Sequence, residues 1–156
     1  MSRKIDALLE EYGESHQNGI NKLIHWVCVP VIVWTVAALL WSLPVPQSWA
    51  ANPYMTWLSP VLAGALVYYI VMSWQLAIGF AIFAAICFWV IIRIDTAFEA
   101  PVWQIALVVF VVAWIGQFIG HAIEGKKPSF FKDVQFLLIA PAWLLHFLYR
   151  RVGIGY

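Results

Sequence analysis

Residues 12–25, YGESHQNGINKLIH, mark the point where the chain changes from polar to almost wholly apolar. The residues before this stretch mix charged and apolar side chains, whereas the residues after it form long apolar runs that could lie in a bilayer. Polar and ionisable groups at membrane depth are energetically costly, so those that occur there are functional candidates. The stretch contains His16, Asn21 and His25. It therefore indicates both where the membrane part of the chain begins and which residues are functional candidates.

The composition indicates an integral membrane protein. Of the 156 residues, 63% are hydrophobic and only 11% are charged, whereas soluble domains have about 25% charged residues. Ten tryptophans and six tyrosines are typical of a protein with two membrane–water interfaces. The net charge of +1 argues against a nucleic-acid partner, which usually requires a concentrated basic face. The length favours one domain, residues 1–156.

The apolar runs predict an all-α, multi-pass bundle. A spanning helix needs about 20 apolar residues, and the run from Leu58 to Ile92 divides into two short helices at the weak break Met72–Gln75. We expect four spanning helices, near residues 23–43, 58–73, 76–93 and 102–123. A fifth membrane-embedded segment, 134–149, contains Pro141.

The N-terminal segment predicts an amphipathic helix rather than a cleavable signal. Ile5, Leu8, Leu9 and Tyr12 recur at helical spacing between charged residues. Such a helix lies along the membrane surface or, equally well, packs on its own protein. Cys28 and Cys87 lie inside apolar runs and are interpreted as reduced packing residues.

The distribution of lysine and arginine predicts the orientation. Arg3, Lys4 and Lys22 precede the first span, and Lys126, Lys127 and Lys132 follow the fourth, so both ends of this four-span unit are expected in the cytoplasm. Arg150 and Arg151 stay on that side if the fifth segment dips in and returns, and they cross if it spans.

The histidines form the main chemical clue. Asn21 and His25 share a helix face, and Gly19 permits a bend that would bring His16 to the same point. His121 ends the fourth span on the same side, and His146 joins the group if the fifth segment returns. Converging imidazoles suit a transition metal such as iron or zinc, although an isolated histidine at a helix end is more often a cap or an interface residue.

The neighbours of these histidines add further expectations, and some of them have more than one interpretation. Glu124, one turn after His121, is a metal ligand, a group that orients His121, or a surface carboxylate near Lys127. Gly116 and Gly120 form a GxxxG pair that predicts close helix contact. Lys126 and Lys127 set the topology, and they are also candidates for attracting a fatty-acid carboxylate.

Two blocks of sequence resemble a known membrane family. The first is Tyr12…His16-x-Asn18-x-x-Asn21-x-x-Ile24-His25-x-x-x-Val29-Pro30. The second is Trp114-Ile115-Gly116-Gln117-Phe118-Ile119-Gly120-His121…Lys126-Lys127-Pro128, followed by Leu138-Ile139-Ala140-Pro141. Together they resemble the family of the yeast endoplasmic-reticulum 2-hydroxy-fatty-acid dioxygenase, which acts in the metabolism of phytosphingosine to odd-numbered fatty acids. The chain looks like a bacterial member, which places it in the inner membrane, the endoplasmic reticulum being the alternative.

The resemblance implies an Fe(II)-dependent dioxygenase that uses O2 to shorten a 2-hydroxy fatty acid by one carbon. It implies His16, His25 and His121 as iron ligands, with His146 where relatives are expected to have a nearby glutamate. Asn21, Glu124, Lys126 and Lys127 are then candidates for orienting the ligands or for contacting substrate. Two other classes remain open: a haem electron carrier with His25 and His121 as axial ligands, and a non-enzymatic transporter or assembly protein.

Overall fold

The computed structural model describes residues 4–14, 16–49, 51–125 and 136–155. Within these ranges the chain forms six α-helices and two short 3-10 turns, Gln47–Trp49 and Phe136–Leu138, and no strand. The helices are α1 Lys4–Gly13, α2 Gly19–Trp41, α3 Leu58–Met72, α4 Trp74–Ala97, α5 Val102–Glu124 and α6 Ile139–Val152.

Three of the described helices, α2, α4 and α5, are long and apolar enough to cross a membrane. The α3 helix is apolar but has only 15 residues, about 22 Å of rise against a hydrocarbon core of about 30 Å. The all-helical prediction is therefore confirmed, and the described helices include three candidate spans rather than the expected four plus a fifth embedded segment.

The long apolar run from Leu58 to Ile92 divides at Ser73, within the predicted break. Ser73 has an extended backbone, ends α3, and its hydroxyl accepts a hydrogen bond from the amide of Leu76 at 3.4 Å, so it caps the start of α4. The division is unequal, because α4 continues to Ala97 and its last turns carry exposed Arg93 and Asp95. Because charged side chains at a helix end can reach water, the helix continues through Arg93 and Asp95, beyond the end of the apolar run.

The α2 and α5 helices pack closely through the predicted glycine pair. A Cβ atom at Gly116 would lie 2.8 Å from the Cys28 sulfur, and one at Gly120 would overlap the side-chain oxygen of Asn21. Only glycine permits this approach, as small residues do at membrane helix contacts. The prediction of a close contact beside His121 is confirmed. Both cysteines are free thiols.

The α6 helix lies at the end of the bundle where α2 begins. The Tyr69 hydroxyl, near the end of α3, donates to the carbonyl of Leu138 just before α6. The Tyr149 hydroxyl, near the other end of α6, donates to the carbonyl of Gln75 at the start of α4 at 2.7 Å. Both ends of this 14-residue helix are thus held by the same α3–α4 junction.

The α1 helix packs on its own protein. Its apolar face, Ile5, Leu9 and Tyr12, is buried in a cluster with Trp143 and Leu144 of α6. Of the two interpretations of the N-terminal segment, the structure therefore shows intramolecular packing. The Tyr12 ring of α1 and the Trp143 ring of α6 both pack against His16.

We expect the substitution Gly120→Ala to destabilise the α2–α5 contact. Its new methyl group overlaps the Asn21 side chain, which is fully buried and cannot move away into solvent. Overpacking of this kind costs about 1–3 kcal/mol. Thermal unfolding in detergent measures the effect as a lower Tm.

The matched control is Gly64→Ala in α3, where a Cβ would meet nothing within 4 Å. Because alanine favours a helix over glycine by about 1 kcal/mol, this variant should have an unchanged or higher Tm. Equal Tm values for the two variants would show that the α2–α5 contact tolerates a side chain at Gly120.

Candidate metal centre

Three histidines from separate parts of the chain meet inside the protein. His16 lies between α1 and α2, His25 lies in α2, and His121 lies in the last turn of α5. All three are buried, and one nitrogen of each lies within 4.8 Å of the others. The ring centroids are 4.2 Å apart for His16 and His25, 5.6 Å for His16 and His121, and 5.1 Å for His25 and His121.

The bend that brings His16 to His25 lies in the loop before Gly19. The side chain of Asn18 accepts hydrogen bonds from the amides of Ile20 and Asn21, at 2.8 and 3.4 Å, and so caps the start of α2. Gly19 is the first residue of that helix and lacks the positive φ of Gly125 and Gly153. The expected bend is present, but the capped loop makes it, and the conformational freedom of Gly19 is not needed.

Backbone carbonyls hold two of the imidazoles in one tautomer. Nδ1 of His16 lies 2.6 Å from the carbonyl oxygen of Tyr12, and Nδ1 of His25 lies 3.0 Å from that of Asn21. Because a carbonyl only accepts, both Nδ1 atoms carry the hydrogen, which leaves a lone pair on each Nε2. This is the pattern in which metal-binding histidines are oriented.

The Nε2 atom of His16 is buried and has no hydrogen-bond partner among the described residues. Burial is the main cause that lowers the pKa of His16 to about 4, although its bond to Tyr12 opposes the shift. The imidazole is therefore neutral at physiological pH. Buried polar atoms normally have partners, so this nitrogen, aimed into the cluster, fits a metal ligand.

Aromatic rings cover the side of the cluster that faces α1 and α6. The Tyr12 ring stacks on His16 with centroids 4.3 Å apart and an interplanar angle of 17°. The Trp143 ring lies 5.3 Å from His16 and 5.4 Å from Tyr12. These contacts fix the orientation of the His16 ring and exclude water from that side.

Glu124 connects the end of α5 to the start of α2. Its carboxylate accepts hydrogen bonds from the amides of Gln17 and Asn18, at 2.8 and 2.9 Å, and from the side-chain amide of Asn21 at 2.9 Å. Gly125, in the left-handed conformation, ends α5 immediately afterwards. The carboxylate is not among the grouped metal-ligand candidates; it holds the loop that carries His16. Lys126 and Lys127 lie outside the described residues.

The structure does not bring His146 to the three histidines. His146 lines a separate cavity of about 270 Å³ together with Asp6, Glu10 and Arg150. Burial and the positive charge of Arg150 lower the pKa of His146, and Asp6 opposes the shift. The α6 side chain that approaches the cluster is instead Trp143, whose ring packs on Tyr12 and His16.

A small cavity of about 30 Å³ adjoins His25, lined also by Trp114 and Gln117. This volume holds one or two molecules of the size of water. The Gln117 side chain is buried, and its oxygen has no hydrogen-bond partner among the described residues. Gln117 was not among the predicted site residues, although it is an amide in an apolar helix, one turn before His121. Gln117 and His121 are four residues apart, which is the spacing that placed Asn21 and His25 on one helix face.

Sequence comparisons place the chain in a family. A family profile described as "2-hydroxy-palmitic acid dioxygenase Mpo1-like" matches residues 2–152. The chain belongs to the Mpo1-like family. A curated relative, the 2-hydroxy-palmitic acid dioxygenase MPO1 of Saccharomyces cerevisiae, is 27% identical over 142 residues, which cover 89% of this chain and 76% of the relative. No solved structure gives a significant match. The resemblance inferred from the two histidine blocks is thus confirmed.

In this Mpo1-like protein the donor set fits a divalent transition metal. Two imidazole nitrogens bound to one ion at about 2.1 Å lie no more than about 4.2 Å apart, so donors grouped within 4.8 Å need only small movements to share an ion. The grouped donors are imidazoles alone, which suit iron, zinc, copper and nickel. Neutral imidazoles leave the charge of a bound ion uncompensated, which favours an anionic ligand.

We expect Glu124→Ala to loosen the loop that carries His16. The change removes the acceptor of the Gln17 and Asn18 amides, and hydrogen bonds to a charged group contribute about 1.5–3 kcal/mol. Hydrogen–deuterium exchange at these two amides should accelerate about tenfold or more. Glu99→Ala, an exposed carboxylate between α4 and α5, is the control and should leave their exchange unchanged. Unaltered exchange in Glu124→Ala would contradict the tethering role.

Proposed function

We propose that this protein is an Fe(II)-dependent dioxygenase that shortens 2-hydroxy fatty acids by one carbon. The observation that carries the proposal is the convergence of His16, His25 and His121 from three segments of an apolar helical chain. Membership of the Mpo1-like family and the activity for which the yeast relative is named support the substrate class. Each of the three histidines contributes one nitrogen to the iron.

Bound iron supplies Lewis acidity and the electrons with which O2 is activated. The neutral donor set suits a 2-hydroxy acid, since its carboxylate and its 2-hydroxyl form a chelating pair that brings negative charge. The overall reaction balances with O2 as the oxidant. A 2-hydroxy acid and O2 give the acid with one carbon fewer, carbon dioxide and water, as the C1–C2 bond breaks and O2 takes up four electrons.

The surrounding residues position the reactants and keep water out. Tyr12 and Trp143 cover one side of the cluster, which protects reactive species from hydrolysis and proton leakage. Gln117 places an amide in the cavity beside His25, where it can hydrogen-bond to the substrate hydroxyl. Asn21 orients His25 through its carbonyl and reaches Glu124 through its side chain.

The proposed location is the bacterial inner membrane, with the endoplasmic reticulum as the alternative if the source is eukaryotic. We propose that α2, α4 and α5 cross the bilayer and that the shorter α3 crosses it with local thinning of the bilayer. In this arrangement α6 is embedded at one interface and the site faces the cytoplasm. The lysine and arginine distribution supports this orientation. By their charge and sequence position, Lys126 and Lys127 are retained as candidates for attracting the head group of an anionic amphiphile.

A haem carrier is the less favoured alternative. A haem would need its plane between the axial rings of His25 and His121, but those rings are 5.1 Å apart and His16 lies beside both. No observation favours a non-enzymatic transporter or assembly protein over the oxygenase. Purified protein with a strong Soret band would support haem, and a metal-free, inactive protein would support a non-enzymatic role.

The first test removes the imidazoles one at a time. Purified parent protein should bind one Fe(II) per chain and consume O2 with 2-hydroxypalmitate. Loss of a group that merely hydrogen-bonds to a metal ligand lowers metal affinity or activity about 10–100-fold. Loss of a ligand itself should lower them at least as much, and we expect this for each of His16→Ala, His25→Ala and His121→Ala. Metal analysis and O2 uptake measure the two quantities. Full activity in any of the three would overturn the proposal.

The matched control is His146→Ala. Because His146 lies in a separate cavity, we expect this variant to keep its iron and its activity, and a structural role would change only stability. Loss of iron from this variant at unchanged Tm would instead show that His146 completes the site as a fourth ligand, as the resemblance first implied.

Substitution of Gln117 tests the polar group of the small cavity. Gln117→Leu keeps the side-chain size but removes the amide, and one hydrogen bond to a charged or polarised substrate atom is worth about tenfold to a hundredfold in rate. We expect kcat/KM for 2-hydroxypalmitate to fall by that factor while iron content stays at one per chain. Gln104→Leu, exposed on the same helix, should have no effect. Equal rates for both variants would remove Gln117 from the site.

A further inference from the structure

A further cavity, distinct from the His146 cavity and also of about 270 Å³, lies between α2, α4 and α6. Its lining side chains are all apolar, and each of the three helices provides one wall. The walls include Trp26 and Val29 from α2, Ile82 and Ile86 from α4, and Leu144 and Leu148 from α6. We call this cavity the apolar groove. Its volume is close to the lower end of the range for small-molecule pockets, about 300–1,000 Å³.

The apolar groove begins next to the candidate metal centre. Val29, one turn after His25, lines both the groove and the small cavity that contains Gln117. On the α6 side, Ala140 lines the small cavity and its neighbour Pro141 lines the groove. The two spaces therefore share Val29 and the Ala140–Pro141 segment as their boundary, so the groove begins about one helical turn from His25.

The apolar groove runs along α4 and opens to the side. Its wall on α4 extends from Gly79 to Ile86, about 10 Å of helix. Ile82 is 58% exposed and Ile86 is 54% exposed, so the outer rim of the groove lies on the apolar surface of a candidate spanning helix. A ligand from the hydrocarbon core of a bilayer can thus enter sideways without crossing polar surface.

We infer that the apolar groove holds the alkyl chain of the substrate, with the hydroxy acid at the three histidines. The inference rests on the proposed function and adds the site that recognises the chain. Lipid tails are as apolar as leucine, so moving an alkyl chain from bilayer to protein gains little free energy. The groove therefore acts by placing C1 and C2 at the metal centre and by selecting chain length, while the polar head supplies affinity.

A bulky residue at the far end of the groove should change chain-length preference. Ile86→Trp fills the space that the end of a long chain would occupy, and a hydrophobic mismatch in a pocket typically changes discrimination about tenfold or more. The ratio of kcat/KM for 2-hydroxypalmitate to that for 2-hydroxyoctanoate should fall by this factor, with iron content unchanged. Ile78→Trp is the matched control, because Ile78 is exposed on the same helix and does not line the groove; its ratio should equal that of the parent. An unchanged ratio in Ile86→Trp overturns the inference.

Photocrosslinking tests occupancy without turnover. A 2-hydroxyhexadecanoic acid with a diazirine near its methyl end is irradiated with parent protein in phosphatidylcholine nanodiscs, and labelled peptides are mapped. We expect labels in residues 82–86 and 144–148 that excess 2-hydroxypalmitate removes and excess phosphatidylcholine does not. Labels elsewhere show that the alkyl chain does not lie in the groove. Labels that only phosphatidylcholine removes show that the groove holds bilayer lipid. Either result overturns the inference. Specific labelling in a protein that does not oxidise the acid would contradict the proposed function and leave the groove as a fatty-acid site.

Discussion

The hydrogen bonds of one carboxylate hold the candidate site together. Glu124 at the end of α5 accepts from two backbone amides and one side-chain amide at the start of α2. Such bonds to an ionised acceptor are stronger than neutral ones, and the amides of the first helical turn otherwise lack partners. The interaction thus anchors the loop containing His16 to the helix that contains His121. Locally, His16 is also held by the bond from its Nδ1 to the Tyr12 carbonyl and by the rings of Tyr12 and Trp143.

Close approach of α2 and α5 makes this connection possible. Gly116 and Gly120 allow the two helices to touch at Cys28 and Asn21, and the same contact places His121 beside His25. The site is therefore built where the helix pair is closest, and its ligands are carried mainly by helix backbone rather than by long loops. Sites supported by helices keep their geometry better than sites on loops, which suits the proposed metal centre.

The electrostatic character of the cluster follows from its burial. The imidazoles of His16 and His25 are oriented by backbone carbonyls, and the three imidazoles as metal ligands would contribute lone pairs but no negative charge. The carboxylate of Glu124 lies close by but is used for the helix connection. A divalent ion held there would retain its positive charge in a medium of low dielectric, where attraction to a carboxylate is strong. The apolar groove beyond Val29 has the opposite character, and together the two spaces match the two ends of a fatty acid.

The sequence by itself determined the all-helical membrane class, the break at Ser73, the GxxxG contact and the family, because apolar periodicity, caps and glycine spacing are local properties of the chain. It also indicated His16, His25 and His121 as a group. Tertiary structure decided what local patterns cannot encode: the bend before Gly19, the use of Glu124 as a tether, the placement of His146 in a separate cavity, and the position of Gln117 beside His25. Each of these depends on which helix faces meet, and that is set by packing between residues up to 107 positions apart.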